Sequence, residues 1–76
     1  MDNSCQLYEQ QVKKAKETIA ILETKLEELT LNLEKTNSSF VLQELRKTTL
    51  DMTITQNELE HSQFNLDKCL KQNNSI

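Results

Sequence analysis

Ile19-Ala20-Ile21-Leu22-Glu23-Thr24-Lys25-Leu26-Glu27-Glu28-Leu29 carries the repeat from which the architecture follows. Ile19, Leu22, Leu26 and Leu29 recur at alternating steps of three and four. An apolar period of 3.5 residues keeps one stripe of a helix turned toward a neighbour, the signature of helices that wind around one another. Counted outward in both directions, the repeat gives a positions Cys5, Val12, Ile19, Leu26, Leu33 and Phe40 and d positions Tyr8, Ala15, Leu22, Leu29 and Thr36. This first register covers residues 5–40. Between its seam positions, Lys13, Lys14, Lys16, Glu17, Glu23, Lys25, Glu27, Glu28 and Glu34 supply a solvated, helix-favouring surface.

Beyond Phe40 the first register decays and a second takes over across residues 42–73. Its d positions are Leu45, Met52, Leu59 and Leu66, and its a positions are Leu42, Thr49, Gln56, Gln63 and Leu70. The phase slips by two residues, which neither a three-residue stammer nor a four-residue stutter absorbs. At the slip lies Thr36-Asn37-Ser38-Ser39, the poorest helix-forming stretch of the interior, because short polar side chains compete for backbone hydrogen bonds.

Two all-α arrangements fit. In one, a single helix from about residue 4 to 72, roughly 105 Å long at 1.5 Å per residue, assembles as a dimer or a four-helix bundle. In the other, residues 36–39 turn a helical hairpin with two nearly equal arms. Because a tight helix–helix turn usually recruits Gly at the end of its first helix and the chain has none, one long coiled-coil helix per chain is the expectation. The hairpin is the alternative.

Composition narrows the function. The chain has 76 residues, of which 36% are hydrophobic, below the roughly 45–50% of soluble globular domains, so it reads as one coiled-coil segment over residues 1–76 rather than a closed core. Gly and Pro are both absent, so nothing forces a helix to stop. A net charge of −3, mixed in sign, argues against nucleic acid and anionic membrane as partners. No apolar run approaches a membrane span, and Met1-Asp2-Asn3-Ser4 lacks the basic and apolar regions of a signal peptide. The expected setting is cytoplasmic, with thiols reduced. Sequons at Asn37 and Asn73 would matter only in a secreted chain.

The expected oligomer interface comprises Val12, Ile19, Leu22, Leu26, Leu29, Leu33, Phe40, Leu42, Leu45, Met52, Leu59, Leu66 and Leu70. With Leu45, Met52, Leu59 and Leu66 taken as d, Leu50, Ile54 and Phe64 fall at b and f, on the far side of the helix. A two-stranded coil would leave these three in water, losing roughly 1.5–3 kcal/mol for each that could be fully buried. They form a possible second interface, pointing to a bundle or to an unlike helix.

Candidate chemistry is sparse. Cys5 and Cys69 would stand roughly 96 Å apart on one straight helix, far beyond disulfide reach. Their midpoint is residue 37, however, so a hairpin or an antiparallel dimer centred there would bring them level. His61 has only Glu58 and Glu60 nearby, not a convincing metal set. No Ser, Cys or Lys has a base and an orienting group beside it. No catalytic, cofactor-binding or metal site is expected, and no small-molecule substrate. The cluster Lys13, Lys14, Lys16 is flanked by Glu9 and Glu17 and lacks the density of a DNA-binding basic arm.

Long runs of Leu, Glu, Lys, Gln, Asn and Thr without Gly or Pro, as in Ile19–Leu29, resemble the rod segments of large eukaryotic scaffold and tether proteins, of centrosomal, spindle-pole, kinetochore or golgin type. That resemblance implies an oligomerisation segment of a longer scaffold protein, with a cytoplasmic and cytoskeletal or centrosomal site. The function expected is self-association as a dimer or tetramer. The alternative is a binding module that recruits an unlike coiled-coil protein.

Overall fold

The computed structural model describes residues 4–73, with side chains described for residues 5–72. Two helices account for nearly all of them: α1, Ser4–Thr36, and α2, Ser39–Asn73, folded back on each other as an antiparallel hairpin. The molecule is all-α and 60 Å long. The single long helix from about 4 to 72 does not form, because the chain reverses at Asn37 and Ser38.

The physical reason is one backbone conformation. Asn37 adopts φ 51°, the left-handed region that glycine usually fills after a helix and that Asn tolerates better than other side chains. Its N–H donates to the Leu33 carbonyl at 2.8 Å, and the Thr36 hydroxyl donates to the Asn32 carbonyl at 2.8 Å. The Leu33 carbonyl, one of those left without an intrahelical partner at the helix end, thereby gains one. Ser38 then starts α2. Its Oγ accepts from the N–H of Phe40 at 3.2 Å and of Val41 at 3.5 Å, while its carbonyl accepts the first intrahelical bond, from Leu42 at 3.1 Å. Lack of glycine therefore did not forbid the turn, since Asn37 supplied the left-handed residue and Ser38 the cap.

At the other end, Cys5 and Cys69 form a disulfide with Cα atoms 5.7 Å apart. The expected reduced thiols are thus replaced by a covalent bond, which the reversal at residue 37 makes geometrically possible. Turn and disulfide together set the register: residues equidistant from 37 stand level. The first register of α1 faces inward over nearly its full length, with Cys5, Val12 and Ala15 buried and Tyr8, Ile19, Leu22, Leu26, Leu29 and Leu33 half-buried.

On α2 the inward positions are Val41, Leu45, Thr48, Met52, Thr55, Leu59, Ser62, Leu66 and Cys69. Leu45, Met52, Leu59 and Leu66 of the second register therefore belong to the seam. Their companions are Thr48, Thr55, Ser62 and Cys69, one residue before the expected Thr49, Gln56, Gln63 and Leu70, of which Thr49, Gln56 and Leu70 are exposed. Volume explains the choice. The small residues stand level with large ones of α1, Thr48 with Leu26, Thr55 with Ile19 and Ser62 with Val12, whereas Ala15 stands level with Leu59. These small-with-large layers lie between layers of two large residues, Leu22 with Met52 and Tyr8 with Leu66, and keep the helices from splaying.

Threonine is a poor helix former because its hydroxyl competes for backbone bonds. Here several hydroxyls donate to the carbonyl four residues earlier, at 2.8–3.2 Å: Thr18 to Lys14, Thr24 to Ala20, Thr30 to Leu26, Thr49 to Leu45, Thr53 to Thr49 and Thr55 to Asp51. Thr55 can therefore face the seam with its hydroxyl satisfied. Thr48 is the most enclosed residue described, at 1% exposure.

Two outcomes follow. Asn37→Gly should leave thermal stability unchanged or slightly raised, whereas Asn37→Val, β-branched at positive φ, should lower it by about 1–2 kcal/mol in urea melts followed by circular dichroism. Cys69→Ser should cost about 4 kcal/mol, the unfolded-state entropy recovered when a 64-residue loop is opened, read as a shift of the urea midpoint that reductant reproduces in the unsubstituted chain.

Candidate interaction surface

The hairpin divides its apolar residues between an inner seam and an outer face. Cys5, Val12, Leu66 and Cys69 form the most enclosed cluster, with Tyr8 and Leu59 packed against it near the disulfide. Of the thirteen residues expected at an oligomer interface, Val12, Met52 and Leu66 are buried within the chain. Ile19, Leu22, Leu26, Leu29, Leu33, Leu42, Leu45 and Leu59 are half-buried. The seam expected to join separate chains is largely occupied by the chain's own two halves. Phe40 and Leu70 lie outside it, 68% and 40% exposed.

Leu50, Ile54 and Phe64 face solvent at 60%, 48% and 64% exposure. They share the outer side of α2 with Phe40. This side lies away from the stripe that faces α1: at 100° per residue Leu50 and Phe64 lie roughly opposite the neighbouring seam residues, while Phe40 and Ile54 lie roughly 100–160° from theirs. On α1 the outer apolar residues Leu7, Ile21 and Leu31 are also exposed, separated by Lys14, Glu17, Thr24 and Glu28, as Gln43, Lys47, Asn57 and His61 separate those of α2. The α2 side differs in carrying two phenylalanines and the close pair Leu50 and Ile54.

Beside the seam runs an open groove lined by Gln11, Lys14, Ala15 and Thr18 of α1 and by Ile54, Thr55, Asn57, Glu58, His61 and Ser62 of α2. It arises where Ala15, Thr55 and Ser62 contribute little volume. A shallower depression on α2 is lined by Leu59, Glu60, Gln63, Phe64 and Asp67, and within it Gln63 Nε2 donates to Asp67 Oδ1 at 3.3 Å. His61 and Glu58 share the groove with Lys14. Among the described residues no group of three or more His, Cys, Asp or Glu side chains is placed to hold a metal ion, and no helix is long and apolar enough to cross a membrane.

The groove is open to water along one side. What the surface can do chemically is bury apolar side chains against another helix.

Contrast between the two faces is measurable. Leu66→Ala should destabilise the hairpin by about 2–4 kcal/mol through lost burial and the cavity left behind. Phe64→Ala at dilute concentration should change hairpin stability by no more than about 0.5 kcal/mol. Thermal melts of both variants by circular dichroism check the pair.

Compared with known proteins, the chain matches no protein family, no curated protein and no solved structure.

Proposed function

We propose that the chain is a coiled-coil oligomerisation module of a larger scaffold protein, self-associating hairpin against hairpin, and that it performs no catalysis. The observation that carries this reading is the outer face of α2. Its inner side is already occupied by α1, yet Phe40, Leu50, Ile54 and Phe64 remain between 48% and 68% exposed. A helix with apolar residues on two opposite sides buries both in a bundle of more than two helices. Two hairpins supply four.

The scaffold setting rests on the resemblance to rod segments of tether and cytoskeletal proteins. For the compartment, the Cys5–Cys69 bond favours an oxidising environment over the cytoplasmic, cytoskeletal or centrosomal one that the sequence suggests. In a reducing compartment the same residues would be paired thiols and the seam alone would hold the hairpin.

A second reading, a heterotypic module, is favoured by the groove beside Ala15, Thr18, Thr55 and Ser62. Its small residues could admit one side of an unlike amphipathic helix.

Sedimentation equilibrium on the oxidised chain separates the two. A defined two-chain or four-chain mass supports self-association. A one-chain mass at all concentrations, with added mass only when an unlike helix is supplied, supports the heterotypic module and overturns the first.

A further inference from the structure

The outer side of α2 carries a second heptad stripe of its own, and the stripe is symmetric. Exposed residues recur there at alternating steps of three and four from Phe40 to Phe64, the spacing of a coiled-coil seam. Counted outward from Met52, Leu50 and Ile54 stand two residues away on either side. Lys47 and Asn57 stand five away, Gln43 and His61 nine, Phe40 and Phe64 twelve. The order along α2 is aromatic, polar, polar, aliphatic, then aliphatic, polar, polar, aromatic.

We propose that two copies of the chain associate through this face with their α2 helices antiparallel and a two-fold axis passing level with Met52. The proposal rests on the self-association reading above and names its surface and orientation. A two-fold interface requires one patch that complements itself when reversed, and this stripe does. Every position meets its mirror position: Leu50 meets Ile54 of the second copy, and Phe40 meets Phe64 of the second copy, each twice. The polar layers also match, with Lys47 level with Asn57 and Gln43 level with His61.

The one Lys inside the stripe favours this orientation. Parallel, in-register pairing would set Lys47 against Lys47 of the second copy, a like-charge contact inside a seam, whereas antiparallel pairing sets it against the neutral Asn57. At one edge Arg46 comes beside Glu60 of the second copy, whereas at the other Glu44 comes beside Glu58 of the second copy and the two Asp51 residues approach near the axis, so that edge is acidic and the apolar layers supply the attraction.

The area is adequate for a specific contact. An aromatic residue carries roughly 150–250 Å², of which Phe40 and Phe64 still expose 68% and 64%, so covering the four apolar residues on both copies removes on the order of 1,000 Å², the lower bound for a specific interface. Because α1 already lies on the opposite side of α2, the assembly is a flat row of four helices, with the two α2 helices inside and the two α1 helices at the edges.

The test uses the full chain with Cys5–Cys69 intact, unsubstituted and as Leu50→Glu, Ile54→Lys and the double variant L50E/I54K. Sedimentation equilibrium should give two chains for the unsubstituted protein and one for each single variant, with helicity kept because both positions are exposed. The double variant should regain the two-chain mass, since each introduced carboxylate then meets the introduced ammonium of the other copy, and the regained dimer should weaken as salt is raised. That recovery carries the test even where a single variant loses helicity.

An unsubstituted chain that stays at one-chain mass overturns this proposal and the self-association reading together. A multimer indifferent to both single substitutions overturns this face and leaves self-association standing. A double variant no more associated than the single ones overturns the antiparallel register.

Discussion

Register is the constraint on which the rest of the hairpin depends, and it is held from both ends. Asn37 fixes where the chain reverses by accepting the left-handed backbone region. Cys5 and Cys69, equidistant from it, fix the far end covalently. A slip of either helix by one position would break the agreement between these two points and would set Ile19 and Val12 level with Gln56 and Gln63, or with Ile54 and His61, in place of the smaller Thr55 and Ser62. The small residues Thr48, Thr55 and Ser62 are therefore as much a part of the design as the leucines. They make room, and at Thr55 the hydroxyl that bonds the Asp51 carbonyl keeps that room from costing an unsatisfied polar group.

Two helices on their own enclose little. Among the described residues only Cys5, Val12, Ala15, Thr48, Met52, Leu66 and Cys69 are buried, far fewer than a closed core requires, and small domains of this kind commonly need a staple. The disulfide fills that role by restricting the unfolded chain. It also places the firmest point of the molecule beside the cluster of Cys5, Val12, Leu66 and Cys69, away from the turn. The other helix faces stay open, which is why so much apolar surface remains on α2.

Much of this was legible from residue spacing. The inner face of α1 follows from the first register without exception between Cys5 and Leu33, because each position is apolar and the period is strict. The d set Leu45, Met52, Leu59 and Leu66 also lies in the seam. Their companions were illegible because the row that turns inward is Thr48, Thr55, Ser62 and Cys69, small and mostly polar, while Leu42 and Leu70 offered a more apolar alternative one residue away. Only the partner helix, already rich in large side chains, decides between them, and helix pairing is a tertiary fact. The turn was placed at the right residues yet discounted for want of glycine, since spacing alone does not reveal that an asparagine will take positive φ. Leu50, Ile54 and Phe64 stood out as a second face because the period assigned them to the wrong side of any two-stranded coil.

The covalent closure at Cys5 and Cys69 has an architectural corollary. A polypeptide continuing past both residues would leave from points 5.7 Å apart, so entry and exit coincide at one root. Placed within a surface loop of a host domain, such a unit would stand out as a rigid spur, its tip at Asn37 tens of ångströms from the host, without forcing the host's own ends apart.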